Sequence, residues 1–79
     1  MHKKLKNPAA RLIKKKELRK LRQEIETSKI AILSASNHFE HAVDPTLIEC
    51  CIYELNAAEL RYQFLLRTLK KRESQEEII

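Results

Sequence analysis

From Leu18 onward the apolar positions fall three and four residues apart: Leu18, Leu21, Ile25, then the polar Ser28, then Ile32, Ala35, Phe39 and Ala42. A second set, Ile48, Cys51, Leu55, Ala58, Tyr62, Leu65 and Leu69, keeps the same alternation. Such spacing places each set on one face of an α-helix and predicts a coiled-coil-like seam. Between the sets stands Val43-Asp44-Pro45-Thr46-Leu47-Ile48. Asp44 suits an N-cap, whose side chain accepts from the free amides of the next turn. Pro45 suits the first helical position and pushes Asp44 out of the α region, which ends the preceding helix. Val43 and Ile48 are spaced for a hydrophobic staple across the cap. Asn7-Pro8 repeats the cap-and-proline pattern and predicts a helix start at Pro8.

The pattern predicts an all-α chain folded as an antiparallel two-helix hairpin. A basic flexible tail covers residues 1–7, helix 1 about 8–42, the bend 43–45 and helix 2 about 45–72. An acidic, frayed tail takes residues 73–79. Folding about the bend pairs Ala42 with Ile48, Phe39 with Cys51, Ala35 with Leu55 and Ile32 with Ala58. It then pairs Ser28 with Tyr62, Ile25 with Leu65 and Leu21 with Leu69. Four successive layers set a large side chain against a small one, keeping the seam volume even. Ser28 leaves room for the Tyr62 ring and stands ready to bond its hydroxyl. The same register brings Glu73, Glu76 and Glu77 beside Arg11, Lys14, Lys15 and Lys16, and Ile78 and Ile79 near Leu12 and Ile13.

Helix 2 carries a second apolar stripe, Cys50, Tyr53, Ala57, Leu60 and Phe64, opposite the seam. Polar strips separate the two: Glu49, Asn56, Gln63 and Lys70 on one side, Glu54, Arg61 and Thr68 on the other. A lone hairpin leaves this stripe in water, and an apolar patch of that size calls for a covering surface. Self-association into a helical bundle covers it, as does a groove on another protein. Helix 1 swinging to cover part of both stripes, or the tail folding over one, is the intrachain alternative.

The composition narrows the chemistry. With 79 residues and no Gly, the chain supports one small domain and none of the glycine-dependent phosphate or nucleophile loops. Its net charge of +5 is uneven: residues 1–22 hold ten Lys/Arg against one acid, and the remainder is mildly acidic. The candidate nucleic-acid residues are Lys3, Lys4, Lys6, Arg11, Lys14, Lys15, Lys16, Arg19, Lys20 and Arg22, which can neutralise DNA or RNA phosphates without reading sequence. No aromatic interleaves with them, which argues against single-strand stacking. An anionic membrane surface is a weaker match, resting on Leu5, Leu12, Ile13 and Leu18; a solvated helix end is the plain alternative. His38, His41, Cys50 and Cys51 flank the bend but lack zinc spacing, with Cys51 expected in the seam, Cys50 out of it and His41 facing away from both. Glu54 and Glu59 sit on different strips with no pocket between them. No enzyme, cofactor, metal or small-molecule substrate is expected. The start carries no apolar secretion core and no run is long enough to span a bilayer, so a cytoplasmic protein is expected.

The run Val43-Asp44-Pro45-Thr46-Leu47-Ile48, followed by Ile52-Tyr53-Glu54-Leu55-Asn56-Ala57-Ala58-Glu59-Leu60-Arg61-Tyr62 and Leu65-Leu66-Arg67, resembles the YaaL-like family of short Gram-positive bacterial proteins. The similarity spans roughly residues 37–70; the N-terminal half matches in length and basic character. The resemblance implies the hairpin and a bacterial cytoplasm and supplies no catalytic residue. Genes of that family tend to neighbour a recombination-repair gene, which adds weight to DNA binding.

Overall fold

The computed structural model describes residues 8–77, with side chains through Ser74. Two helices, α1 (Pro8–His41) and α2 (Pro45–Glu77), lie antiparallel as a rod of 57 × 20 × 13 Å. At 1.5 Å per residue each helix runs about 50 Å, so the rod is two helices wide and one thick. The expected tail, residues 1–7, and Ile78 and Ile79 lie outside the described residues, as do the side chains of Glu76 and Glu77.

The bend forms around Asp44. Its Oδ1 accepts from the Thr46 amide at 2.8 Å and the Leu47 amide at 3.3 Å, satisfying two of the open donors of α2. The Ile48 amide donates to the Asp44 carbonyl at 2.9 Å, the first intrahelical bond after Pro45. On the other side α1 tightens: the Ala42 amide donates to the Phe39 carbonyl, three residues back. No described residue has a positive φ, so the chain turns without needing glycine. The staple is not made. Val43 is 90% exposed, because the cap alone sets the entry angle and leaves Val43 at the outside of the turn.

The seam follows the expected positions. Leu18, Leu21, Ile25, Ser28 and Ala35 of α1 are buried, as are Cys51 and Ala58 of α2. In the four large-small layers, every small member (Ser28, Ala35, Cys51, Ala58) is buried, and every large one is less so. Ile32, Leu55 and Tyr62 are half-buried and Phe39 is 42% exposed. Small residues let the backbones approach closely, and the longer side chains are then displaced to the rim of the seam. Ser28 does not serve Tyr62: its Oγ donates to the Ile25 carbonyl of its own helix at 2.7 Å.

Cross-helix ion pairs mark the register. His38 lies 3.9 Å from Glu54, Arg22 2.7 Å from Glu73, and Glu17 3.4 Å from Arg72. As one helix is descended the other is climbed; His38–Glu54 and Glu17–Arg72 fall within a turn of the predicted pairing, and Arg22–Glu73 lies five residues from it. Lys29 is paired within its own helix. Its hydrogen bond to Glu26 and the charge of that carboxylate hold its ammonium above the ordinary lysine range, against a small opposing effect of burial and with a small contribution from Tyr62 across the seam.

Two expectations at the open end are corrected. Helix α2 runs to Glu77, beyond the end expected near residue 72, since the stretch has no Gly or Pro to stop it. Glu73 pairs with Arg22, not with Arg11 or Lys14–Lys16, because the long Arg22 side chain reaches more than a turn along the seam.

Candidate interaction surface

A line of side chains on α2 faces away from α1. Tyr53 is 73% exposed, Leu60 65% and Phe64 58%, with Cys50 and Ala57 exposed between and beside them. All five stripe residues are thus brought together on one face, and α1 does not swing to cover them. The geometry follows from the seam: residues half a helical turn away from Ala58, Tyr62 and Leu65 must point outward.

One edge of the stripe borders two open grooves between the helices. The first, of about 440 Å³, is lined by Glu24, Thr27, Ser28 and Ala31 of α1 and by Arg61, Phe64 and Leu65 of α2. The second, of about 330 Å³, lies beside the bend and is lined by His38, His41, Ala42, Leu47, Cys50, Cys51 and Glu54. Thr27, Ala31 and Leu47 therefore extend the surface beyond the five stripe residues. Reading the seam alone conceals them, although Glu24, Thr27, Ala31 and His38 share a helical face by their spacing. Leu47 is itself exposed.

His41 lines the same groove as both cysteines, correcting the expectation that it faces away from them. Its Nδ1 donates to the Asn37 carbonyl at 2.8 Å; a carbonyl only accepts, so that nitrogen carries the proton. Among the described residues no three His, Cys, Asp or Glu side chains are arranged to hold a metal ion. Burial raises the Cys51 thiol above its ordinary range, with Glu54 and Cys50 adding to the effect, so it stays protonated near neutrality. Both cysteines are free.

Lys14 is half-buried on the seam line, whereas Lys15, Lys16, Arg19 and Lys20 are exposed. Arg22 is engaged by Glu73. Helix α2 adds Arg67, Lys70 and Lys71, all exposed, to the same end of the rod. Lys3, Lys4 and Lys6 lie outside the described residues. Leu18 is buried in the seam, which removes it from the apolar face considered for a membrane; Leu12 and Ile13 are exposed. Among the described residues no helix is long and apolar enough to cross a membrane.

Two antiparallel helices joined by a capped bend, with one seam buried and a second apolar face open, define an all-α helical hairpin. The chain belongs to a family described as a protein of unknown function, DUF2508, whose model matches residues 1–75. No curated protein and no solved structure matches it.

Proposed function

We propose that this chain is a non-catalytic interaction protein that binds a second copy of itself through the open face of α2. In this reading it is a cytoplasmic, YaaL-like protein of Gram-positive bacteria. The observation that supports it is the exposure of Tyr53, Leu60 and Phe64 on one face of a hairpin whose own core is thin. Two helices shield each other along one line only, and no large side chain among the described residues is completely buried. Association covers the apolar face and supplies burial that a chain of this size lacks. Light scattering at about 100 μM, enough to populate a modest dimer, should give at least twice the chain mass. Leu60→Glu combined with Phe64→Glu should return the monomer with its helix content unchanged. A monomeric wild type assigns the face to a different protein, and an unfolded double variant places the face in the intrachain core.

A second reading, binding of duplex DNA or RNA, is favoured by one observation: α2 brings Arg67, Lys70 and Lys71 back to the end that carries Arg11–Arg22. Affinity should fall steeply with salt and be indifferent to sequence. Lys15→Glu, Lys16→Glu and Arg19→Glu together should nearly abolish it, and absence of binding at about 50 mM salt removes this reading.

A further inference from the structure

The stripe is nearly palindromic about Ala57. Cys50 and Phe64 lie seven residues to either side, and Tyr53 and Leu60 lie four before and three after. Steps of seven return to the same helical face, so a two-fold axis through Ala57 lays α2 antiparallel on its copy. Cys50 then meets Phe64 of the second copy and Tyr53 meets Leu60, while the paired Ala57 methyls let the backbones approach. A two-fold interface uses one patch twice, as this spacing requires.

The charges choose between antiparallel and parallel. Glu54 and Arg61 sit on the same polar strip seven residues apart, so the antiparallel axis sets each beside the other's counterpart, twice. Further along the rod, Lys70 and Lys71 arrive at Asp44 and the bend of the second copy. None of Arg61, Arg67, Lys70 and Lys71 forms an ion pair among the described residues, so these cations are available across an interface. The rod is polar as a whole: residues 25–65, the bend half, hold six acids and two Lys/Arg. The open half, residues 8–24 and 66–77, holds eleven Lys/Arg and five acids. A parallel pair faces this strip with the opposite strip of the second copy, which sets Glu54 against Glu49, leaves Arg61 beside Asn56 and lays one basic end on the other, and like-charge juxtaposition opposes it.

We propose that a second copy docks antiparallel on the open face of α2, about a two-fold axis at Ala57, with reciprocal Glu54–Arg61 pairs setting its direction. This rests on the self-association reading, and the test separates the two. In the antiparallel dimer the two native Cys50 thiols stand about 21 Å apart, fourteen residues at 1.5 Å, beyond a bismaleimide of roughly 10 Å span. Wild type should therefore not cross-link, Phe64→Cys should, and adding Cys50→Ser to Phe64→Cys should abolish the product. Ala57→Cys should cross-link in either direction and reports association itself. Cross-linking of wild type through Cys50, or its persistence in the Phe64→Cys, Cys50→Ser protein, overturns the antiparallel arrangement and leaves self-association standing. A monomeric mass together with no product from Ala57→Cys overturns both. If Phe64→Cys weakens the dimer, the charges decide instead. Arg61→Glu should weaken association roughly tenfold at low salt, and Glu54→Arg added to it should restore most of that loss. Failure to restore overturns the proposed direction.

Discussion

Asp44 stabilises the bend through two amides at once, which makes it the most informative single substitution. Asp44→Ala leaves the Thr46 and Leu47 amides without their acceptor and should cost about 1 kcal/mol, the usual loss for such a cap. Asp44→Asn retains the acceptor and should cost only a few tenths, read by urea unfolding. Val43→Ser should be nearly silent, within about 0.5 kcal/mol, since Val43 is in solvent. The adjacent cysteines should differ in chemistry. Burial keeps the Cys51 thiol protonated, and Cys50 is exposed. Iodoacetamide at pH near 8 should therefore alkylate Cys50 well before Cys51 in dilute protein, followed by mass spectrometry. Equal rates would mean that Cys51 is not held in the seam.

At the scale of the elements, stability resides in one seam with small residues at its centre. Ile25 is buried where α1 and α2 meet, and Ile25→Ala should cost about 2–4 kcal/mol, the range for a core aliphatic truncation. Leu55 is half-buried, so Leu55→Ala should cost less than Ile25→Ala. Gln63→Ala, on an exposed strip, should change stability by less than about 0.5 kcal/mol. The same ordering in thermal and chemical unfolding would support the register; equal losses at Ile25 and Gln63 would reject it. The ion pairs are a smaller matter. Arg22–Glu73 and Glu17–Arg72 are solvent-accessible, and exposed pairs of this kind contribute little and weaken with salt.

The whole rod has a polar distribution of charge and one uncovered apolar face, and both bear on how it behaves with concentration and salt. A protein that self-associates on folding is stabilised by mass action. The melting temperature should therefore rise with protein concentration between about 5 and 500 μM, and this rise should vanish in Leu60→Glu with Phe64→Glu. Cys50 alkylation should slow over the same range, because the stripe carries Cys50 into the contact. A concentration-independent melting temperature would count against a second copy as the occupant. Added salt should loosen the Glu54–Arg61 pairing without exposing the apolar face, whereas any binding to DNA or RNA should collapse over the same salt range.

Much of this architecture was legible in the residues because the physics that sets it is local. A cap acts within one turn and proline acts on its own φ and its neighbour, so Asp44-Pro45 located the bend without reference to distant residues. Helical period alone sorted Leu18, Ile25, Cys51 and Ala58 into the seam and Tyr53, Leu60 and Phe64 out of it. What periodicity does not carry is the distance between the helices and the reach of long side chains. The close approach permitted by Ser28, Ala35, Cys51 and Ala58 sends Phe39 to the rim. The length of Arg22 lets it reach Glu73, which the register had set beside Lys14–Lys16. The trajectory of the bend leaves Val43 in solvent and turns His41 into the groove of the cysteines. The return of α2 adds Arg67, Lys70 and Lys71 to the basic end. Each of these depends on where the second helix lies in space, and only the tertiary structure decided it.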